Sequence, residues 1–513
     1  MAKQKYQPKT KEELQALCKD ESIYLGDIDT SKITDMSHLF SYIDRKDFSG
    51  IETWDTSHVK DMYSMFYGAK SFNQPIGNWD VSKVKVMGFM FQDAESFNQD
   101  ISKWNVSKVE NMSYMFCNAK SFNQPIGDWN VSKVTNMECM FEWAESFNQP
   151  IGNWDVSKVK DMSSMFHFAF SFNQPIGNWD MSNVKETNDM FSYATHFNQP
   201  IGNWDVSHII NMDGMFYGAE SFNQPIENWN VSKVKSMASM FREALSFDQP
   251  INQWNVSNVI NMCNMFNGCP FNQPLDKWDV SNVYDMRGMF ESAQRFNQNI
   301  ETWDVSNVES MNGMFQDALS FNQSIEKWNV SKVKDMSNMF YVAVSFNQSL
   351  NNWDVSHVED MSSMFEKATS FNGAVDKWNT SSVKTMKNMF YEAKSFNQPI
   401  GNWDVSKVKD MSCMFSHTKE FNQSLDKWNV SNVENMCKMF EDTLWFNQDI
   451  SKWNVLNVEN MEDMFYKSKR FKQTLPKEWA EKAGYENPVK TKNTVKVNLK
   501  GKSSKKQSND MEM

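Results

Sequence analysis

Large apolar residues recur along the chain at a fixed interval. Trp stands at 54, 79, 104, 129, 154, 179, 204, 229 and 254, then at 278, 303, 328, 353, 378, 403, 428 and 453, a step of 25 broken once by a residue missing before Pro270. Ile28 takes the Trp place in a degenerate first unit, so residues 24–471 hold about 18 units. In the unit that starts at Trp154, apolar residues follow at Val159, Met162, Met165, Phe166, Ala169 and Phe172. These steps of three, three, one, three and three match one face of a helix. Asp161 precedes the first Met, and this place is Asp, Asn, Ser or Thr in 16 of the 18 units, Val86 and Glu186 being the exceptions. A short polar acceptor there reads as an N-cap and predicts a helix of about two turns. Ile151, Trp154 and Val156 suit an extended segment, because Trp154 and Val156 alternate across Asp155.

Such a unit is too small to bury its own apolar side, but stacked neighbours share one continuous core. The pattern therefore predicts an α/β solenoid, a leucine-rich-repeat-like stack of strand–turn–short-helix coils, with a parallel β-solenoid as the alternative. Residues 1–23 contain a capped helical pattern from Thr10 and are expected to close the first coil. Residues 472–488, with Trp479, are expected to close the last. Residues 489–513 turn to Lys, Ser, Asn and Gln and read as a disordered basic tail.

Composition narrows the function. Met 38, Phe 39 and Trp 20 are far more large apolar side chains than a disordered chain carries. No apolar run reaches the roughly 18 residues of a membrane-crossing helix, so no integral membrane segment is expected. The net charge is −12, and residues from Lys472 onward contribute +5, which leaves −17 on the body. An acidic body of this kind disfavours nucleic acid, whose phosphates need a Lys/Arg surface. The N-terminus is basic without an apolar stretch behind it, so no export signal is read there and the residues alone point to the cytoplasm. Seven Cys in that setting are expected to be reduced thiols.

The string Trp-Asp/Asn-Val-Ser-x-Val-x-x-Met-x-x-Met-Phe-x-x-Ala-x-x-Phe-Asn-Gln-x-Ile resembles the BspA-like repeat proteins. More narrowly, it is similar to their 25-residue repeat of unknown function, first catalogued in mycoplasmas and grouped with leucine-rich repeats. Trp79, Val81, Val84, Met87, Met90, Phe91, Ala94, Phe97, Asn98, Gln99 and Ile101 carry the match. The resemblance implies a solenoid, a surface adhesin-like binding role toward a host or extracellular protein, and a cell-surface location. An intracellular scaffold or effector that binds another protein is the alternative.

Each candidate for chemistry has a structural explanation within the repeat. Met-x-x-Met resembles a Cu(I) site, but its Met share a face with Phe and Val and are read as core. The Trp column is read as a buried ladder, and the Asn of Phe-Asn-Gln as a stacked amide ladder. The outward column Asp80, Asn105, Asn130, Asp155 is assigned to solubility and register. His38, His58, His167, His196, His208, His357 and His417 join no Ser/His/Asp set or metal-ligand spacing. No catalytic residue, metal or cofactor is therefore expected, and the chain reads as a non-enzyme. Cys413 and Cys437 should fall side by side on neighbouring coils, as should Cys117 and Cys139. The most informative departure lies fourteen residues after the Trp, where three consecutive units carry Trp143, Phe168 and Tyr193, with His167 and Phe170 beside them. Stacking predicts one exposed aromatic column there, the candidate contact for a protein partner.

Overall fold

The computed structural model describes residues 5–43 and 45–488; the tail expected at 489–513 lies outside them. The repeat closes into coils that stack along one axis, and the apolar positions turn inward as the pattern requires. In the Trp154 coil, Val156, Val159, Met162, Met165, Phe166, Ala169, Phe172 and Ile176 are all buried, and so is Trp154. These side chains belong to one core that runs from Leu14 to Ala483. Neighbouring indoles stack, as between Trp204 and Trp229, 6.4 Å apart at 3°. From Trp54 to Trp453 each indole N–H of this column also donates to a carbonyl 27–29 residues earlier, as from Trp179 Nε1 to Ile151 O at 3.2 Å. A buried polar atom is thereby satisfied without leaving the ladder.

The predicted short helix is absent. In its place the chain makes overlapping turns, with Met165 N donating to Met162 O (3.2 Å), His167 N to Ser164 O (3.1 Å) and Ala169 N to Phe166 O (3.0 Å). The alternate amides leave the coil altogether. Met162, Ser164, Phe166 and Phe168 donate to Glu186, Asn188, Met190 and Ser192 of the next coil at 2.8–3.1 Å. The residues ten and fourteen places after the Trp have positive φ throughout the stack, as at Ser164 (54°) and Phe168 (56°). A right-handed helix has negative φ throughout, so these two left-handed residues are incompatible with one. Turns of three residues reproduce the inward spacing of Met, Met, Phe and Ala while freeing every second N–H for the neighbour.

The Asp161 place keeps its acceptor role but caps turns. Asp161 Oδ1 accepts from Ser163 N at 2.9 Å, and its backbone forms a single-residue parallel bridge to Glu186. That column of bridges continues from Asp35 to Asn460. The segment expected to be extended, residues 154–156, forms no ladder strand and lies between two turns, one closed by Trp154 N to Ile151 O at 3.1 Å and the other by Val159 N to Val156 O at 2.9 Å. The fold is thus a repeat solenoid whose coils are turns joined by isolated parallel bridges. The strand–turn–short-helix description is corrected, and the parallel β-solenoid alternative is right only about the direction of pairing.

A second inter-coil ladder runs through the Asn of Phe-Asn-Gln. Asn148 Oδ1 accepts both Asn173 N (3.0 Å) and Gln174 Nε2 (2.9 Å), and the pattern extends to Lys472 N on Asn447. On the outer corner, Asp155 Oδ1 accepts from Ser157 N at 3.1 Å, while Asn105 does the same for Ser107 at 3.2 Å. Hydrogen bonds from the following Ser hold the carboxyls of Asp55, Asp80, Asp155, Asp205, Asp304, Asp354 and Asp404 below the ordinary aspartate range. A carboxyl lowered in the fold contributes stability above its unfolded pKa of about 4, and that contribution is lost as pH falls through the folded value. The urea midpoint should therefore drop as pH falls below about 4. Asp80→Asn, Asp155→Asn and Asp205→Asn together should flatten that drop, because Asn keeps the acceptor. An equally steep acid loss in the triple variant would remove these carboxyls from the account.

Both ends of the core are covered. Helix α1, Lys11–Lys19, begins at Thr10, whose hydroxyl accepts Glu13 N, and buries Leu14 and Cys18. Helix α2, Lys477–Lys482, places Trp479 against Trp453 at 6.3 Å, extending the indole ladder by one rung. Tyr485 lies across Phe465 and Phe471. Among the described residues no helix is long and apolar enough to cross a membrane.

Candidate interaction face

The run of turns forms one face of the stack, and the places nine to sixteen after the Trp supply its outward side chains. At the fourteenth place the chain adopts a left-handed conformation that suits Gly, Asn and Asp. Gly68, Asp93, Asn118, Gly218 and Gly268 fit that requirement. Trp143, Phe168 and Tyr193 meet the same φ, 56° in each case, at a steric cost of roughly 1 kcal/mol each.

The structure brings these three rings into one column. Trp143 and Phe168 stack at 3.8 Å and 17°, and Phe168 and Tyr193 at 4.7 Å and 4°. Phe170 packs edge-on against Trp143 (6.2 Å) and Phe168 (5.8 Å). His167 lies 4.2 Å from the Phe168 ring, and its Nδ1 is 3.3 Å from Glu142 Oε1. All five side chains are half-buried rather than fully exposed. Their faces cover one another, and what solvent meets is the row of ring edges.

Sequence reasoning missed how far the column extends. Tyr217 continues it at 4.7 Å from Tyr193, and the Arg242 guanidinium closes the end 5.1 Å above the Tyr217 ring. Tyr217 sits thirteen places after its Trp, beside Gly218, so a search at the fourteenth place alone passes it over. A second stack, His38, Tyr63, Phe89 and Tyr114, occupies the ninth and tenth places of the first four coils. Its signal was available as aromatics where other coils have Ser, Asn or Gly.

Between the two stacks lies a partly buried polar cluster. Tyr114 Oη donates to Glu138 at 3.0 Å, and the Cys117 thiol to Glu142 at 3.5 Å. Burial, with Glu142 nearby, pushes both the Cys117 and Cys139 thiols well up, the opposite of what a nucleophile needs. Burial also raises Glu142, but bonds from His167 and Cys139 outweigh it and leave the carboxyl low. Asp189 is raised by burial, with repulsion from Asp213 adding to it.

The remaining candidates fall within the repeat. The Met sulfurs and the Trp column are core. His58, His208 and His357 each contact the preceding Ser at the surface. Among the described residues no three His, Cys, Asp or Glu are placed to hold a metal ion. All seven Cys are free thiols, and Cys413 N donates to Cys437 O at 2.8 Å, which sets that pair on adjacent coils.

The family described as "Mycoplasma protein of unknown function, DUF285" matches residues 12–124, 100–200, 171–274, 267–377 and 364–479. No curated protein matches the sequence. Solved structures similar to the chain include an internalin, InlF, of Listeria monocytogenes, at 8% identity over 80% of this chain and 93% of that one, TM-score 0.18. An LRR protein of Leptospira interrogans is 7% identical over 83% and 94%, TM-score 0.19. TLR13 in its complex with ssRNA13 is 9% identical over 86% and 76%, TM-score 0.17. The solenoid description rests on this chain's own coil-to-coil bonds and on the tiled family matches.

Proposed function

The chain belongs to the DUF285 family of mycoplasma repeat proteins, and from that premise we propose that it is a non-catalytic protein-binding solenoid. The observation that carries this reading is the aromatic column of Trp143, Phe168 and Tyr193, with His167 and Phe170 beside it. Stacking between the three rings offsets part of the strain of a left-handed place where Gly or Asn is less strained. The aromatic row it leaves at the surface is the kind of patch that interface hot spots use.

The adhesin-like form of this proposal sets the solenoid at the cell surface, facing a host or extracellular protein. The intracellular scaffold form draws support from seven free thiols in a chain this long. Protease treatment of intact producing cells, with a cytosolic marker and a lysed control, separates the two. Cleavage while the marker survives supports the adhesin, and protection until lysis supports the scaffold.

The binding reading has its own test. A photo-crosslinking residue in place of Thr195, beside the column, should trap the partner in producing cells. Trp143→Ala with Phe168→Ala should then weaken affinity for the trapped protein by about 2 kcal/mol, the scale of an interface hot spot. Ala at the same φ leaves the backbone requirement unchanged, so circular dichroism should stay that of the parent. Unchanged affinity in a folded variant would sink the proposal.

A further inference from the structure

The partner's chemistry follows from what surrounds the aromatic column. Over the Trp129, Trp154, Trp179 and Trp204 coils, the places nine to sixteen after the Trp contain Glu138, Glu142, Glu145, Asp189, Asp213 and Glu220, and no Lys or Arg. Lys120 bounds this stretch on one side and pairs with Glu145 at 3.0 Å, while Arg242 bounds it on the other. Elsewhere on the same face the charges are mixed. The Trp353 and Trp378 coils alone carry Lys367, Lys387 and Lys394 in these places. The acidic stretch and the aromatic column thus coincide in the same four coils.

The chain's own hydrogen bonds hold these carboxylates without cancelling their charge. Glu138 accepts from Tyr114, and Asp213 accepts from Ser236 Oγ (2.5 Å) and Ala238 N (2.7 Å). His167 is the one titratable base among them, and it faces Glu142. Of the six, only Glu145 has a Lys or Arg within ion-pair distance among the described residues. Mutual repulsion adds to the burial that raises Asp189, so an incoming cation would relieve a cost already present in the free protein.

We propose that this face receives a Lys- and Arg-rich segment of a partner protein, the aliphatic stems lying along the aromatic edges and the cationic heads on the carboxylates. Lys and Arg combine an apolar stem with a charged tip, and here apolar edge and carboxylate are neighbours, as with Trp143 beside Glu142. Nucleic acid and anionic lipid carry the same sign as the face and are repelled. This inference rests on the interaction-face reading and deepens it.

The test uses the full chain and a labelled synthetic peptide rich in Arg and Lys with single Leu interruptions, at about 150 mM salt so that diffuse attraction is screened. Glu138→Gln, Glu142→Gln and Asp213→Asn together keep every acceptor oxygen they can and remove three charges. Glu359→Gln, Glu434→Gln and Glu459→Gln remove the same charge six places after the Trp, away from this face. The face triple should raise Kd about tenfold or more, equivalent to 1.4 kcal/mol, and the control triple by less than about twofold. Equal weakening by both triples, or none by the face triple, overturns the inference and assigns any binding to net charge. The two readings fail separately. If Trp143→Ala with Phe168→Ala still weakens the crosslinked partner while the face triple leaves it unchanged, the interaction face stands and the basic partner falls.

Discussion

Trp254→Ala should destabilise the solenoid by about 3–5 kcal/mol and divide its unfolding into two steps. Trp254 is buried between neighbouring coils, stacks on Trp229 at 6.3 Å, lies tilted against Phe241 at 6.3 Å, and donates from Nε1 to Ile226 O at 3.1 Å. Ala leaves a cavity within the continuous core and removes one of the two hydrogen bonds that Ile226 O accepts, the other coming from Trp229 N at 3.1 Å. Both penalties fall on a single interface, because a stacked coil touches only its neighbours. The two flanking blocks should then melt with separate midpoints in urea, read by circular dichroism and by hydrogen exchange of each half. Trp254→Phe keeps most of the packing and loses the N–H, so it should cost less, about 1–3 kcal/mol. A single unshifted transition for Trp254→Ala would mean that the indole ladder does not couple the coils.

The repeat, its period and its core were legible because burial acts on spacing alone. Val159, Met162, Met165, Phe166 and Ala169 had to face inward whatever backbone carried them. The backbone itself was not legible from those residues, since successive three-residue turns and an α-helix present nearly the same inward sequence. What separates the two is where the amides go, and that depends on a neighbour 24 residues later. The discriminating signal was on the outside of the coil. Gly68, Gly218 and Gly268 at the fourteenth place, and Gly214, Gly288 and Gly313 at the tenth, mark left-handed residues where a helix would disfavour Gly. The polar residue before the first Met was correctly read as an acceptor, but what it caps is a turn and a bridge.

The candidate face was legible only in part. Aromatics at an outward place stood out against the repeat, and stacking at one coil spacing followed from the period. Their half-burial did not, because it arises from ring covering ring across coils. The acidic surroundings were hidden for the same reason. Glu142, Asp189 and Asp213 occupy three different places of the repeat and come onto one surface only when four consecutive coils are laid side by side.

Arg45 supports a second large effect, at the opposite end of the molecule from the last coil. It is almost completely buried and donates to four carbonyls, Nε to Asp47 O (2.6 Å), Nη1 to Cys18 O (3.1 Å) and Asp20 O (3.0 Å), and Nη2 to Ile23 O (2.5 Å). Two of these lie at the C-terminal end of α1, where helix carbonyls lack intrahelical partners and carry partial negative charge. One guanidinium thus ties α1, the following loop and the first coil together. Arg45→Met keeps much of the volume but removes every donor, and should cost about 3–5 kcal/mol, the range for breaking a buried charged contact. The loss should appear locally. Cys18 is fully buried beneath α1, so its thiol should become accessible to maleimide while Cys269, deep in the central coils, stays protected until global unfolding. Arg45→Lys supplies a point charge without the fork of donors and should give intermediate labelling. Protection of Cys18 equal to the parent in Arg45→Met would show that α1 is held by its apolar face alone, through Leu14 and Cys18.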